Sequence, residues 1–270
     1  MTLFTNQRGG LREKKIFKPN TKSKPLITVI TCVLNNEKYL QECFDSLKKQ
    51  NYKNYEHIVI DGGSTDRTID IIKKNETNID FWISEKDKGI YDAFNKGMGY
   101  ARGEYLGFLN SDDVYYSEKT LGYVVDAFWD YKEIDFIFGP VKKHWALLYG
   151  YKPWKIYFTW GFYTSHSTGF FIKRSSAKIL GDYNLKYKYS SDYDYFFRMI
   201  VKNKMIGRGI KKDKIFGIFR RGGFSIRVKF IDHFIEEIQI RNDNKQNKII
   251  IFLIIVYKSI RHINKILKNL

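Results

Sequence analysis

Short apolar runs alternate with amphipathic stretches through the first half of the chain. LITVITC (26–32) and EHIVID (56–61) are short and rich in Val and Ile, the pattern of buried strands, and FWISE (81–85) and EYLGFLN (104–110) repeat it. Between them, EKYLQECFDSLKKQ (37–50) puts Leu40, Phe44 and Leu47 on one helical face. STDRTIDIIKK (64–74) opens with Ser and Thr ahead of an apolar-periodic run, a helix start. GIYDAFNKGMGYA (89–101) predicts a third helix, weakened by its glycines. Strands alternating with helices predict an α/β fold with a mostly parallel, doubly wound sheet. Further on, 118–132 predicts a helix, DFIFG (135–139) and GFFIKRS (169–175) strands, and SSDYDYFFRMIVKN (190–203) a helix opened by Ser and Asp. Residues 144–168 are aromatic and irregular, and 227–243 predicts a last amphipathic helix.

Both ends depart from this pattern. Residues 1–25 are polar, end in Lys-Pro and predict a loose basic tail. Near the other end, IIIFLIIVY (249–257) lies between Lys248 and Lys258. Nine residues fall well short of the roughly 20 that span a bilayer, which leaves a buried helix, a strand or an interfacial segment.

Charge changes the picture more than composition does. The 270 residues carry a formal net charge of +18. Residues 1–25 hold seven Lys/Arg against one acid, and residues 202–270 hold seventeen against five, so 26–201 is neutral. A nucleic-acid enzyme would place positive charge around its working cleft, so a neutral body with basic ends argues against nucleic acid and for an anionic surface as partner. Hydrophobic content of 43% excludes a mainly disordered chain. The two cysteines, Cys32 and Cys43, are too few for a disulfide framework or a Cys-based zinc site, and predict small core residues in a reducing compartment. The opening MTLFTNQRGGLREKK lacks the apolar stretch of a secretory signal, so a cytoplasmic location is expected.

In parallel sheets, ligands bind beyond the carboxyl ends of the strands. Polar residues collect there: Thr31 and Asn35 after the first strand, Asp61 after the second, Asp112 and Asp113 after the fourth. Neither glycine-rich phosphate cradle, G-x-G-x-x-G or G-x-x-x-x-G-K-[ST], is present. The two carboxylates of SDD (111–113) suit a hard cation such as Mg²⁺ or Mn²⁺, although either could instead cap a helix. Lys88, Asp92 and Asn95 form a polar entry to a helix, where a lysine and the helix N-terminus could offset a diphosphate. Asp192 and Asp194 stand two residues apart and cannot share a helix face. One could act as a general base while the other caps or pairs with Arg198. His166, between Thr164, Ser165 and Ser167, is a lone histidine with no nucleophile pattern around it.

Taken in order, TVITCVLNNEKYLQECFDSLKKQNYKNYEHIVIDGGSTDRT, WISEKDKGIYDAFNKG, GEYLGFLNSDD, HSTGFFIKRS and SSDYDYFFR resemble bacterial family 2 glycosyltransferases of the GT-A fold, over about residues 26–225. That resemblance implies inverting transfer of a sugar from a nucleoside-diphosphate donor. It places Thr31, Asn35 and Glu37 around the nucleoside, Asp61 at the base (typically uracil), and Lys88, Asp92 and Asn95 on the donor side. It makes Asp113 the metal ligand, Asp112 the ribose contact and Asp192 the base, with Asp194, Arg198 and His166 in support or on the acceptor side. The family often has Asp-Asp where this chain has Asp61-Gly62, which removes one acid near the base. The implied acceptor is a growing glycan or a lipid-linked sugar. Residues 226–270, apolar and cationic together through Lys258, Arg261, Lys265 and Lys268, fit an amphipathic helical extension on the inner face of the cytoplasmic membrane. A nucleotidyltransferase of related fold and a basic nucleic-acid-binding protein are the competing readings.

Overall fold

A computed structural model describes residues 7–143, 146–158, 167–220 and 229–264. His166 and residues 221–228 lie outside the described residues. The chain begins with β1 (Gln7–Gly9) and then alternates β2 (Ile27–Val33), α1 (Leu40–Lys48), β3 (Tyr55–Asp61), α2 (Thr68–Lys74), β4 (Phe81–Ser84), α3 (Ile90–Tyr100) and β5 (Tyr105–Phe108). Next come β6 (Val114–Tyr115), α4 (Thr120–Asp130), β7 (Phe136–Phe138), β8 (Val141–Lys143) and β9 (Ala146–Leu148). The remaining elements are β10 (Phe170–Lys173), α5 (Arg174–Leu180), α6 (Ser191–Phe197), β11 (Gly207–Gly209), β12 (Gly217–Phe219), α7 (Phe230–Asp243) and α8 (Lys248–Arg261).

The main sheet runs β1-β4-β3-β2-β5-β10-β7-β11, with β4, β3, β2 and β5 parallel. Every residue of β2 is buried, because helices cover both faces of the sheet. Ile30, Ile58 and Ile60 pack with Tyr91, Ala93 and Phe94 of α3 on one face. Val29, Val33 and Val59 pack with Leu40, Cys43, Phe44 and Leu47 of α1 on the other. Alternation of side chains along each strand produces this division. Cys32 and Cys43 are buried in it, and desolvation raises both thiols.

The sequence pattern does not reveal that β10 runs antiparallel, wedged between β5 and β7. There the Phe171 ring lies across Gly107, and a Cβ on Gly107 would meet it at 2.1 Å, so residue 107 must be glycine for the strands to pair. A smaller sheet, β6-β12-β8-β9, adjoins this end of the fold. The predicted helix 190–203 forms as α6 followed by a π-turn over Arg198–Lys202.

Residues 7–25 are not the loose tail their composition predicts. β1 adds antiparallel to β4 and covers the sheet edge. Arg12 reaches Glu56 at 2.5 Å and donates to the Tyr100 carbonyl, while Lys18 bonds Asp80 at 2.7 Å. Glu56 on β3 and Asp80 just ahead of β4 are buried acids, so two of the N-terminal cations serve as their counter-ions.

The C-terminal helices dock through an ionic cluster. Glu237 receives Arg241 at 2.6 Å and the Lys258 ammonium. Arg241, fully buried, also donates to the Tyr157 carbonyl and to Gln246, both at 2.8 Å. Lys258 therefore leaves the cationic face on which the sequence reading placed it. Burial, with Arg241 beside it, pushes its ammonium down to about 8 against the pull of Glu237. Ile251 and Ile254 turn inward with it. Ile249, Phe252, Leu253, Val256, Tyr257, Ile260 and Ile263 turn outward, Phe252 being 63% and Ile260 71% exposed.

Candidate functional site

Three loops at the carboxyl ends of β2, β3 and β5 are stitched into one surface. Asn35, left-handed at φ 48°, accepts from the Thr65 N–H at 2.7 Å. Asn36 donates from its backbone to Thr68 and from its side chain to Ser111, both at 2.9 Å, so one residue ties the first loop to the other two. Glu37 accepts from the Arg67 backbone N–H at 3.0 Å and from its guanidinium at 3.2 Å, and these donors hold its carboxyl below the usual range. Thr31 is not part of this surface. Strand alternation turns its hydroxyl into the α1 layer, where it bonds His57 at 3.0 Å, fully buried.

Asp61 ends β3 fully buried. Its carboxylate takes the N–H groups of Gly63 and Ser64 at 3.0 Å each, the Ser64 hydroxyl, and the Ser84 hydroxyl at 2.6 Å. The chain's own turn thus supplies its donors, and Gly63 at φ 87° makes that turn possible. A Cβ on Gly62 would lie 2.5 Å from an oxygen of Asp87, so the Asp87 carboxylate stands where a side chain at 62 would project. Burial raises the Asp87 carboxyl against the N–H of Gly89, which it accepts at 2.9 Å. Sequence reasoning passed over Asp87, whose only signal was its place ahead of Lys88-Gly89.

The donor-side trio divides. Lys88 is exposed. Asp92 accepts the Lys88 backbone N–H at 3.0 Å and pairs with Lys96 at 3.5 Å, tying the loop ahead of α3 to its first turn. Asn95 spends both ends of its amide on the Tyr183 backbone, at 2.9 and 2.8 Å, and so pins that loop.

After β5 the chain turns through Asn110, whose carbonyl accepts the Asp113 N–H at 2.9 Å. Asp112 is half-buried and Asp113 fully buried. Asp113 receives the Thr168 hydroxyl and the Arg220 N–H. Asn110 donates to Ser167 at 2.9 Å, while its amide oxygen is buried with no hydrogen-bond partner. Ser167 and Thr168, next to His166, are thereby brought onto the acidic turn. The carboxylates of Asp112 and Asp113 and the unpartnered amide oxygen of Asn110 are hard oxygen donors, the type that a divalent cation such as Mg²⁺ or Mn²⁺ takes. Among the described residues no group of three or more His, Cys, Asp or Glu could hold a metal.

Asp192 and Asp194 meet different surroundings. Asp194 faces inward, paired with Arg198 at 2.8 Å and bonded by the Asn244 amide at 2.9 Å. Arg198 also donates to the carbonyls of Leu180 and Asp182. Asp192 is half-buried in the first turn of α6. It accepts from the Tyr91 hydroxyl at 3.1 Å and the Tyr193 N–H at 2.8 Å. Tyr91 opens α3 just beyond the carboxyl end of β4, so it carries Asp192 to the same edge of the sheet as the acidic turn. Nothing in the sequence pattern singles out Tyr91.

Known proteins place this arrangement. The family model described as glycosyl transferase family 2 matches residues 28–196. A PGL/p-HBAD biosynthesis glycosyltransferase of Mycobacterium bovis is 28% identical over 197 residues, covering 68% of this chain and 73% of the relative. An uncharacterized glycosyltransferase of Mycobacterium tuberculosis is 31% identical over 189 residues, covering 65% and 69%. Among solved structures, residues 1–349 of S. aureus TarS in complex with UDP-GlcNAc align with TM-score 0.62 at 18% identity, over 86% of this chain and 72% of that one. The mannosyltransferase PcManGT of Pyrobaculum calidifontis, in complex with GDP-Man and Mn²⁺, aligns with TM-score 0.62 at 17% identity, over 88% and 70%. The family model covers the three stitched loops, the acidic turn and Asp192, so the chain belongs to glycosyltransferase family 2 and has its GT-A architecture.

Proposed function

We propose that the protein transfers a sugar from a nucleoside-diphosphate sugar, a UDP-sugar on the reading of Asp61, to a hydroxyl of a growing glycan or lipid-linked acceptor, with inversion at the anomeric carbon. The observation that carries this reading is the contrast between Asp194, consumed by Arg198, and Asp192, half-buried at the edge where the acidic turn lies. Asp192 takes the proton of the attacking hydroxyl. Asp112, Asp113 and the Asn110 amide oxygen would hold Mg²⁺ or Mn²⁺ together with the donor's phosphates. That ion, when bound, supplies charge stabilisation to the departing diphosphate. Asp87 and the turn that Asp61 holds through Gly63 and Ser64 would border the nucleoside, with Asn35 and Glu37 holding the loop beside it.

Thermal shift over UDP-glucose, UDP-GlcNAc and GDP-mannose, each with and without Mn²⁺, tests the donor. One nucleotide sugar at a hundredfold its dissociation constant should stabilise the protein by about 2.7 kcal/mol, more with the metal than without. Asp113→Ala should abolish the metal-dependent part. A flat panel, or an Asp113→Ala response equal to wild type, would overturn the assignment.

The reading extends to the membrane surface. The outward stripe Ile249, Phe252, Leu253, Val256, Ile260 and Ile263 recurs at helical spacing, with Lys245, Lys248 and Arg261 exposed along it. No helix among the described residues is long and apolar enough to cross a membrane. Phe252→Ser with Leu253→Ser and Ile260→Ser should reduce sedimentation with anionic phospholipid vesicles by at least tenfold, since each buried apolar side chain is worth about 1.5–3 kcal/mol. Equal sedimentation of the triple variant would reject this placement. Deleting 245–270 is a poorer test, because it also removes Gln246 and Lys258 from the buried cluster.

A further inference from the structure

The loop that leads into α6 is held from the C-terminal extension. Glu236, on α7, accepts the N–H of Lys188 at 2.7 Å on one carboxylate oxygen. It accepts the N–H groups of Tyr189 and Ser190 at 2.8 Å each on the other. Three successive backbone donors on one carboxylate make a charge-assisted clamp that a neutral side chain cannot reproduce. The clamped residues are those that set the start of α6. The Ser190 carbonyl accepts the N–H groups of Tyr193 and Asp194, at 2.9 and 3.3 Å, and so forms the helix's first bonds. The Ser190 hydroxyl meets His233 of α7 at 3.1 Å, and the Tyr189 carbonyl lies 3.1 Å from the Tyr91 hydroxyl that also bonds Asp192. α7 is itself anchored, through Glu237 in the buried cluster and Asn244 on Asp194.

We propose that Glu236 is a positioning residue for sugar transfer. By fixing residues 188–190 it fixes the register of α6 and the place of Asp192, which makes the C-terminal extension a working part of the transfer site. This rests on the reading of Asp192 as the base.

The test uses the full chain with Mn²⁺. Nucleotide release to water is followed from whichever sugar nucleotide gives the largest thermal shift. Glu236→Ala is expected to lower kcat by about 10- to 100-fold, the cost of misplacing a reacting group by an ångström or so. Donor KM should stay within about twofold, because the donor loops are stitched independently of α7. The amides of Lys188, Tyr189 and Ser190 should exchange faster. Glu236→Gln, equal in size and keeping one acceptor oxygen, should recover part of kcat. It carries the test alone should the alanine variant fail to fold. Lys258→Met, which leaves in place the Glu237–Arg241 pair that anchors α7, should leave kcat unchanged. A purely structural role would lower the yield of folded protein with kcat per folded molecule unchanged, and that result in either Glu236 variant overturns the proposal. If Asp192→Asn is inactive while the Glu236 variants are fully active, this inference alone falls. Full activity in Asp192→Asn would overturn it together with the reading of the base.

Discussion

Asp192→Asn is expected to keep the fold and donor affinity and to lower sugar transfer by about 10²–10⁴-fold, the range a positioned general base contributes. Asparagine preserves the shape and can still accept from Tyr91 and from the Tyr193 N–H, so packing of α6 should survive. What it removes is the ability to take a proton. Asp194→Asn is expected to behave differently, because that carboxylate is buried against Arg198 and the Asn244 amide. Its replacement leaves a guanidinium short of its counter-charge and should appear first as a lower melting temperature. Steady-state turnover and thermal melts of both variants check the assignment. An active, stable Asp192→Asn beside a stable but inactive Asp194→Asn would reverse the two roles.

The second large effect concerns stability. Glu237→Ala is expected to destabilise the protein by about 3–5 kcal/mol, since it leaves Arg241 and Lys258 buried with no acid between them. Lys258→Met should cost far less, because it leaves the Glu237–Arg241 pair balanced and replaces a cation whose burial already pushes its pKa down to about 8. Urea denaturation of the two variants measures the difference. A loss below about 1 kcal/mol in Glu237→Ala would mean that water reaches the cluster and that α7 and α8 are held by apolar contacts instead.

The two effects touch the same helix, and their coupling has a physical basis. Glu237 secures α7 to the body, while Glu236, one residue earlier, reaches the loop ahead of Asp192. Burial of an ionic cluster is costly unless it enforces one arrangement, and here the arrangement enforced is the docking that brings Glu236 to residues 188–190.

How far each feature was legible depended on how local its cause was. Strands β2 to β5 and helices α1 to α4 could be read within a few residues, because burial on both faces writes continuous apolar runs and one-sided burial writes helical spacing. The polar strand ends could be read as a site for the same reason. The roles of individual residues there could not. Thr31 and Asn95 looked equivalent to Asn35 and Lys88, yet strand alternation and the Tyr183 loop draw the first two into structural bonds. Asp87 and Thr168 were silent, since their meaning comes from Gly62 and Asp113, which are remote in sequence. Arg12 and Lys18 counted as tail charge until the edge of the sheet brought Glu56 and Asp80 beside them.

The sequence by itself determined the alternation of strands and helices, the parallel core, the acidic turn after β5, the two candidate carboxylates of α6 and the neutrality of the body between basic ends. Those features depend on residue type and short-range spacing, which a linear reading preserves. Only the tertiary structure decided that β10 runs antiparallel, that Asp194 is paired while Asp192 stays at the edge, that Lys258 turns inward and that α7 clamps the loop before α6. Each of these depends on contacts between residues far apart along the chain, and the formal charge of a side chain does not say which counter-charge the fold will bring to it.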